Sequence, residues 1–289
     1  MGADDTEVRL WVGSETVAEY VVAPQIDPRY SPRPYLHPVR TLGGVPVTDA
    51  LPEDHRWHLG VSVTMQDVSG TNLWGGRTYV RDAGYTWRDD HGRIEHDAWL
   101  SHTDDHFAER LRWCDPTGAT LLTEERRIAA RAIVGRDHTA TGDAWLLDVA
   151  YTLTAPTGRD VALGSPATNG RPGGAGYGGF FWRVAPGTSE TFTASADGEE
   201  RVNGSTEPWV ALVGRGVGGS PYTLVFSGLG DGDHWFVRTG IYPGVCVALA
   251  YDQPLVIAAG AAVRRRHTVL VADGALGRAR VEGLLADSD

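Results

Sequence analysis

Two imidazoles, a guanidinium, a carboxylate and an indole fall within one short run, Asp54-His55-Arg56-Trp57-His58-Leu59-Gly60. A third imidazole and a second guanidinium, His37 and Arg40, lie just upstream in Tyr35-Leu36-His37-Pro38-Val39-Arg40. Histidine changes charge near neutral pH more easily than other side chains, so this grouping suits proton transfer or metal binding. In a catalytic reading His55 or His58 acts as acid or base, His37 is its partner, and Arg40 holds an anionic or carbonyl oxygen. In a metal reading His55 and His58 ligate a divalent ion together with a third, distant residue. Their two-residue gap permits this but fixes the geometry less firmly than two histidines one helical turn apart. In a structural reading the same side chains hydrogen-bond the backbone of a turn. The strand-like Val61-Ser62-Val63-Thr64-Met65 follows and would anchor the loop.

A glycine-rich stretch supplies the second group: Thr168-Asn169-Gly170-Arg171-Pro172, continuing through Gly176-Tyr177-Gly178-Gly179 to Phe180-Phe181-Trp182-Arg183. Glycine lets backbone approach a ligand closely. Asn169, Arg171, Tyr177, Trp182 and Arg183 offer an amide, guanidiniums, a phenol and an indole, which suit a polyhydroxylated substrate. No dinucleotide fingerprint is formed, because no helix of suitable composition follows. The bland alternative is a surface connection before a core strand.

A third run, Asp231-Gly232-Asp233-His234-Trp235-Phe236-Val237-Arg238, could bring His234 and Arg238 to the same cleft, its two carboxylates serving the turn itself. His96, His102, His106, Asp104 and Asp105 make a further polar patch at a strand end, where solvated groups are common. Trp74 and Trp182 are the indoles best placed to stack on a sugar ring, since aromatic faces pack on apolar C–H surface.

The elements that must position these groups read as strands. Short β-branched and aromatic runs are separated by Gly, Asp and Pro, with 37 Gly and 16 Pro available for turns. Residues 8–12 and 17–22 form an opening hairpin. Thr78-Tyr79-Val80 leads through a turn at Asp89-Asp90-His91-Gly92 to a return strand at residues 94–100. Residues 107–113 and 119–128 pair across Asp115-Pro116-Thr117-Gly118, where Pro presets φ and Gly tolerates its positive values. Strands continue at residues 144–154, 210–213, 222–226, 245–251 and 267–271. Helical spacing occurs only at residues 275–286, with Leu276, Ala279, Gly283 and Leu284 on one face. With no fixed-period repeat and no linker, the 289 residues predict one all-β domain, 1–289, a large antiparallel β-sandwich with a short C-terminal helix and its function on the loops or a concave face.

Composition removes several classes. The 26 basic residues are all arginine, so Schiff-base chemistry, pyridoxal phosphate and a P-loop lysine are excluded. A net charge of -11 argues against nucleic acid. No Gly-x-Ser-x-Gly elbow occurs. Cys114 and Cys246 read as buried free thiols in a reducing compartment. The acidic start Met1-Gly2-Ala3-Asp4-Asp5 is no signal peptide, and no run of about twenty apolar residues would span a membrane, so a cytoplasmic protein is expected.

Several motifs in one order carry a resemblance. Arg33 through Thr41, Asp54 through Gly60, Asn72-Leu73-Trp74-Gly75-Gly76, Thr168 through Pro172 and Gly176 through Arg183 together resemble the bacterial group labelled "PmoA family protein", over most of the chain. The label implies methane oxygenation, which a chain without a spanning segment does not support. The group resembles a domain of unknown function found near sugar-catabolism genes, beside oxidoreductases of glucose-fructose type. Its strand pattern is similar to the galactose-mutarotase supersandwich, in which a cleft holds a sugar between a histidine and a carboxylate. The matching carboxylate is not singled out here, since Glu109, Glu124 and Glu125 all lie on strands.

These readings lead to a carbohydrate-active enzyme doing proton-transfer chemistry at an anomeric or carbonyl-adjacent carbon, as lyase, hydrolase or epimerase. His55, His58 and His37 would be catalytic. Arg40, Asn72, Trp74, Asn169, Arg171, Tyr177, Trp182, Arg183, His234 and Arg238 would bind a small sugar or glycoside. No cofactor is expected, a divalent metal at His55 and His58 being the exception. The alternative from another class is a non-catalytic carbohydrate-binding or scaffold module.

Overall fold

The strand Gly179–Arg183 is buried along its whole length, so both of its faces must be covered. Its side chains alternate: Phe180 and Trp182 enter one apolar cluster, and Phe181 enters another. This single strand therefore separates the core of the protein from a second packed layer, and the architecture follows from it. The computed structural model describes residues 7–134, 140–216 and 218–287. The acidic N-terminal residues 1–5 read above lie outside them.

Two large antiparallel sheets face each other. The seven-stranded sheet runs, edge to edge, Glu7–Val12, Glu15–Val21, Tyr35–Val39, Val61–Thr64, Gly179–Arg183, Gly244–Ala248 and His234–Arg238. The eight-stranded sheet runs Ser189–Thr193, Trp209–Arg215, Pro221–Ser227, Ala262–Asp273, Ala140–Thr154, Thr120–Val134, His106–Cys114 and Arg93–His102. Between them lies one apolar cluster, with Leu36, Val63, Trp182 and Val247 from the first sheet against Trp113, Leu212, Phe226 and Val271 from the second. Sandwich packing of this kind buries one face of each sheet. A three-stranded sheet (Leu255–Ile257, Val161–Gly164, Asp67–Val68) and a hairpin (Thr78–Val80, Gly84–Thr86) sit beside the main pair. The expected all-β sandwich is what forms.

The turn at Asp115 is built as its residue types require: Asp115 Oδ1 accepts from the backbone N–H groups of Thr117 at 2.8 Å and Ala119 at 2.9 Å. Two local expectations are corrected. Thr78–Val80 closes on Gly84–Thr86, and the strand expected to return to it, Arg93–His102, pairs instead with His106–Cys114. Arg81, Asp82 and Ala83 form a tight turn well before Asp89, with Ala83 N donating to Val80 O at 3.1 Å, so the hairpin closes early. The C-terminal helix, Arg278–Ala286, buries Val281 and Leu284, while Ala279 and Gly283 face solvent. Its apolar side covers the outer face of the eight-stranded sheet at Leu146, Ala211, Val225 and Leu270.

The core also holds charge. Arg126 makes two hydrogen bonds to Glu124, at 2.7 and 2.9 Å, and donates to Tyr20 Oη at 3.1 Å. Trp113 Nε1 donates to Glu124 at 2.7 Å, Tyr20 donates to Glu109, and His96 Nδ1 lies 2.7 Å from Glu109. Burial of this kind is tolerated only because each member has a partner. Two of the three glutamates considered in the sequence thus serve the interior, and Glu125 faces solvent. Among the described residues no helix is long and apolar enough to cross a membrane.

Candidate functional site

The outer face of the seven-stranded sheet carries Phe181, Phe236 and Cys246, and loops close over it to leave a cavity of about 530 Å³. The first loop leads into Val61–Thr64. Within it His55 N donates to Pro52 O at 3.1 Å and His58 N donates to His55 O at 2.8 Å. Such i to i+3 turns bring residues three apart onto one side. His55 and His58 consequently stack with ring centroids 4.7 Å apart. His55 Nδ1 hydrogen-bonds Asp54 Oδ2 at 2.7 Å. Both rings contact Tyr242, at 5.1 and 4.8 Å.

Trp57 leaves the same loop and lies over Gly75 and Gly76, whose φ values are +95° and +70°. A β-carbon at Gly76 would run into the Trp57 indole. Here glycine is required twice, for the left-handed backbone and for the contact. Asn72 shapes this neighbouring loop: its Oδ1 accepts from Trp74 N at 3.0 Å and Gly75 N at 2.8 Å, and its Nδ2 donates to Thr78 Oγ1 at 2.9 Å. Trp74 is thereby set against Tyr177 and Phe181, with centroids 4.7 and 4.8 Å apart. Tyr85 arrives from the small hairpin and Arg171 and Tyr177 from the glycine-rich stretch. Arg171 Nη1 donates to Tyr85 Oη at 2.5 Å, and the Tyr85 and Tyr177 hydroxyls are 2.9 Å apart. Arg238 and Tyr242 close the remaining side. Trp87 and Ile241, 46% and 76% exposed, stand at the mouth.

Burial sets the electrostatics. Desolvation, followed by the charges of His55, Arg183 and Arg33, holds the His58 imidazole well below its ordinary pKa, so it is neutral at pH 7. Its Nδ1 is buried without a hydrogen-bond partner among the described residues, as are Nε and Nη1 of Arg183. Burial raises Asp54, but the His55 hydrogen bond and the charges of His55 and Arg183 outweigh it and keep its carboxyl below the usual range. Burial pushes the hydroxyls of Tyr85, Tyr177 and Tyr242 up, which keeps them protonated as donors. Arg183 lies against Tyr242, its guanidinium 4.8 Å from the ring centre, and 3.7 Å from Asp49 and 3.9 Å from Asp54.

Of the residues singled out in the sequence, His55, His58, Trp74, Arg171, Tyr177 and Arg238 line this one cavity. His37 does not: its Nδ1 bonds Thr48 Oγ1 at 3.0 Å. Arg40 pairs with Glu19 at 2.8 Å. Trp182 points into the core, its Nε1 donating to Val47 O at 3.1 Å, because strand alternation sends Phe181 to the cavity and its neighbour to the opposite face. Arg183 sits behind Tyr242 rather than on the wall. Asn72 and Asn169 border a smaller polar pocket, where Asn169 donates to Asp67 at 3.0 Å. His234 stacks on Tyr251 at 4.9 Å and donates to Gly232 O at 3.1 Å. His96, His102, His106, Asp104 and Asp105 do not line the cavity.

Sequence reading passed over Arg77, Tyr85, Trp87, Phe236, Ile241 and Tyr242. A signal existed for one of them: Gly240-Ile241-Tyr242-Pro243 leaves the large apolar side chain of Ile241 exposed in a turn. As for metal, no three His, Cys, Asp or Glu side chains come together among the described residues in a set that could hold an ion. His55 and His58 alone do not make such a site, and no step is assigned to a metal.

No curated protein matches the sequence. Among solved structures the chain is similar to a mutant of the heparan sulfate lyase HepC from Pedobacter heparinus, at 9% identity and a TM-score of 0.26, over 64% of this chain and 22% of that one. An Escherichia coli K12 protein described as an aldose 1-epimerase matches at 10% identity and a TM-score of 0.41, covering 94% of this chain and 99% of that one. A beta-arabinopyranosidase matches at 11% identity and a TM-score of 0.38, over 94% of this chain and 40% of that one. The chain thus spans well under half the length of the lyase and the arabinopyranosidase. Residues 7–286 match a family described as of unknown function, DUF6807, and the chain belongs to that family.

Proposed function

We propose that this chain is a carbohydrate-active enzyme that moves a proton at an anomeric or carbonyl-adjacent carbon of a small sugar. The observation that carries the reading is the Asp54–His55 hydrogen bond of 2.7 Å, set beside the His58 ring in an aromatic-walled cavity. A cavity of about 530 Å³ has the size of a small-molecule site. Its indoles and phenols suit the apolar faces of a pyranose ring, with hydroxyls left for Tyr85 and Tyr177.

In this reading Asp54 holds one His55 tautomer and leaves Nε2 to take a proton from carbon, the electron pair moving onto the carbonyl oxygen. Returning the proton from the other face gives an epimer; loss of a group from the next carbon gives a lyase product. The neutral His58 and the Tyr242 hydroxyl are the groups beside it that can relay or return a proton. Hydrolysis by two facing carboxylates is supported less, since Asp54 is the single carboxylate on the cavity wall among the described residues.

The test is proton NMR in D₂O with a panel of aldoses, ketoses and sugar acids. Deuterium should enter one carbon position of a true substrate with wild type and not with His55→Ala. Saturable sugar binding with no exchange and no product would favour the binding-module alternative.

A further inference from the structure

On a chain of net charge -11, the cavity wall holds three guanidiniums, Arg77, Arg171 and Arg238, against the one carboxylate of Asp54. Asp54 is already committed to His55. Arg238 is also occupied: it lies 3.6 Å from Glu199 and donates to the carbonyls of Val237 at 2.7 Å and Gly174 at 3.3 Å. Arg171 is different. Its guanidinium's one hydrogen bond among the described residues goes to a neutral phenol, Tyr85, over whose ring it lies at 4.9 Å. Tyr85 is fixed in turn by Tyr177. Neither Arg171 nor Arg77 has a carboxylate at ion-pair distance among the described residues. The result is a cation held in place by aromatic contacts, with most of its donors uncommitted and facing a ligand-sized space.

We propose that the substrate is a sugar acid whose carboxylate seats on Arg171, with Arg77 adding positive charge at the rim. The inference rests on the sugar reading above and names its substrate class. A planar guanidinium fork matches a carboxylate with two parallel hydrogen bonds. The chemistry also favours carboxylate over phosphate ester: neutralising a carboxylate makes the proton on the adjacent carbon easier to remove, and a phosphate ester gives that carbon no such activation. Charge in the mouth would further draw an anion toward an otherwise acidic protein.

Calorimetric titration of the whole protein tests this, with D-glucuronate, D-galacturonate, D-glucose, glucose 6-phosphate and benzoate as probes. The acids should bind at least tenfold more tightly than glucose, and the difference should shrink as salt rises. Arg171→Gln should collapse the preference for the acid, Arg171→Lys should retain part of it, and the exposed Arg77→Gln should reduce it. Thermal melting of each variant establishes that it is folded. Glucose binding as tightly as glucuronate, or a preference that survives Arg171→Gln, overturns the sugar-acid inference and leaves the sugar reading standing. Glucose 6-phosphate as the tightest ligand overturns the choice of carboxylate. Benzoate binding as tightly as glucuronate supports the anion seat and counts against the sugar.

Discussion

Arg33 Nη2 donates to the backbone carbonyl of Trp57 at 3.0 Å from a position with no solvent exposure. The same side chain donates through Nη1 to the carbonyls of Trp74 at 3.0 Å and Ser31 at 3.1 Å, and through Nε to Ser62 at 3.1 Å. One guanidinium therefore ties together the two loops that carry the indoles. Burial, and then the charge of Arg126, pull its pKa down to about 9, still well above neutral.

Arg33→Ala should strand these carbonyls in a dry interior and cost about 3 kcal/mol or more, because each unsatisfied buried group carries its own penalty. Arg33→Lys keeps the charge but cannot span the same acceptors, so it should recover part of the loss. Thermal melting reads the stability, and ligand titration reads the loops. If ligand affinity stays at the wild-type level in a folded Arg33→Ala variant, Arg33 has no part in ordering the site.

Asp54→Asn should lower kcat by about a hundredfold or more, the scale of a mispositioned acid–base group, with a smaller change in KM. Asp54 is 54% exposed on its side chain, so the melting temperature should move little. Steady-state kinetics on whichever sugar shows deuterium exchange makes the measurement. Equal turnover by the variant would remove the dyad from the mechanism.

Acid should destabilise the protein below neutral pH. Burial, opposed by the hydrogen bond to Gly228 and the charge of Asp233 and helped slightly by the charge of Arg265, holds His267 at about 4 against an ordinary 6.5, and His58 is lowered too. Between the folded and unfolded values the unfolded chain binds a proton that the folded chain refuses, so stability falls as pH drops from about 6.5 toward 4. Above that window neither group contributes. For His267 alone the loss approaches about 3 kcal/mol at the acid end. His267→Gln should flatten the stability curve in this range, as read by urea unfolding at several pH values. An unchanged slope would mean the loss comes from other groups.

Arg126→Leu should be among the most damaging single changes, at about 3–5 kcal/mol, because it leaves Glu124 buried without its cation. The double variant Arg126→Leu with Glu124→Gln should regain part of that stability. Denaturant midpoints for the two variants decide whether charge imbalance, rather than lost packing, is the cause.

The sandwich could be read from sequence because its rules are local: β-branched runs broken by Gly, Asp and Pro, and an Asp-Pro-Thr-Gly turn that closes as its residue types demand. The site was only partly readable. His55 and His58 were visible because their spacing within one turn is itself the geometry that stacks them. Trp182 was misplaced because parity along a strand decides which face a residue serves, and sequence offers no absolute phase for a strand apolar on both faces. His37 and Arg40 are near His55 in sequence, yet His37 sits on the preceding strand with partner Thr48, and Arg40 just past its end with partner Glu19. Tyr85 and Tyr242 reach the cavity only through tertiary closure, which no local pattern records.

Phe181 and Trp182 occupy neighbouring positions on one strand, the first under the ligand cavity and the second in the core, with no intervening layer. A single thickness of backbone is both the floor of the pocket and the wall of the core. The floor cannot loosen on its own, so its amides should exchange with solvent only when the whole sandwich opens. Occupancy of the cavity should then be felt as resistance to global unfolding: a saturating ligand should raise the melting temperature in proportion to the logarithm of its concentration. This makes thermal shift a way to screen for ligands that needs no assumption about the reaction.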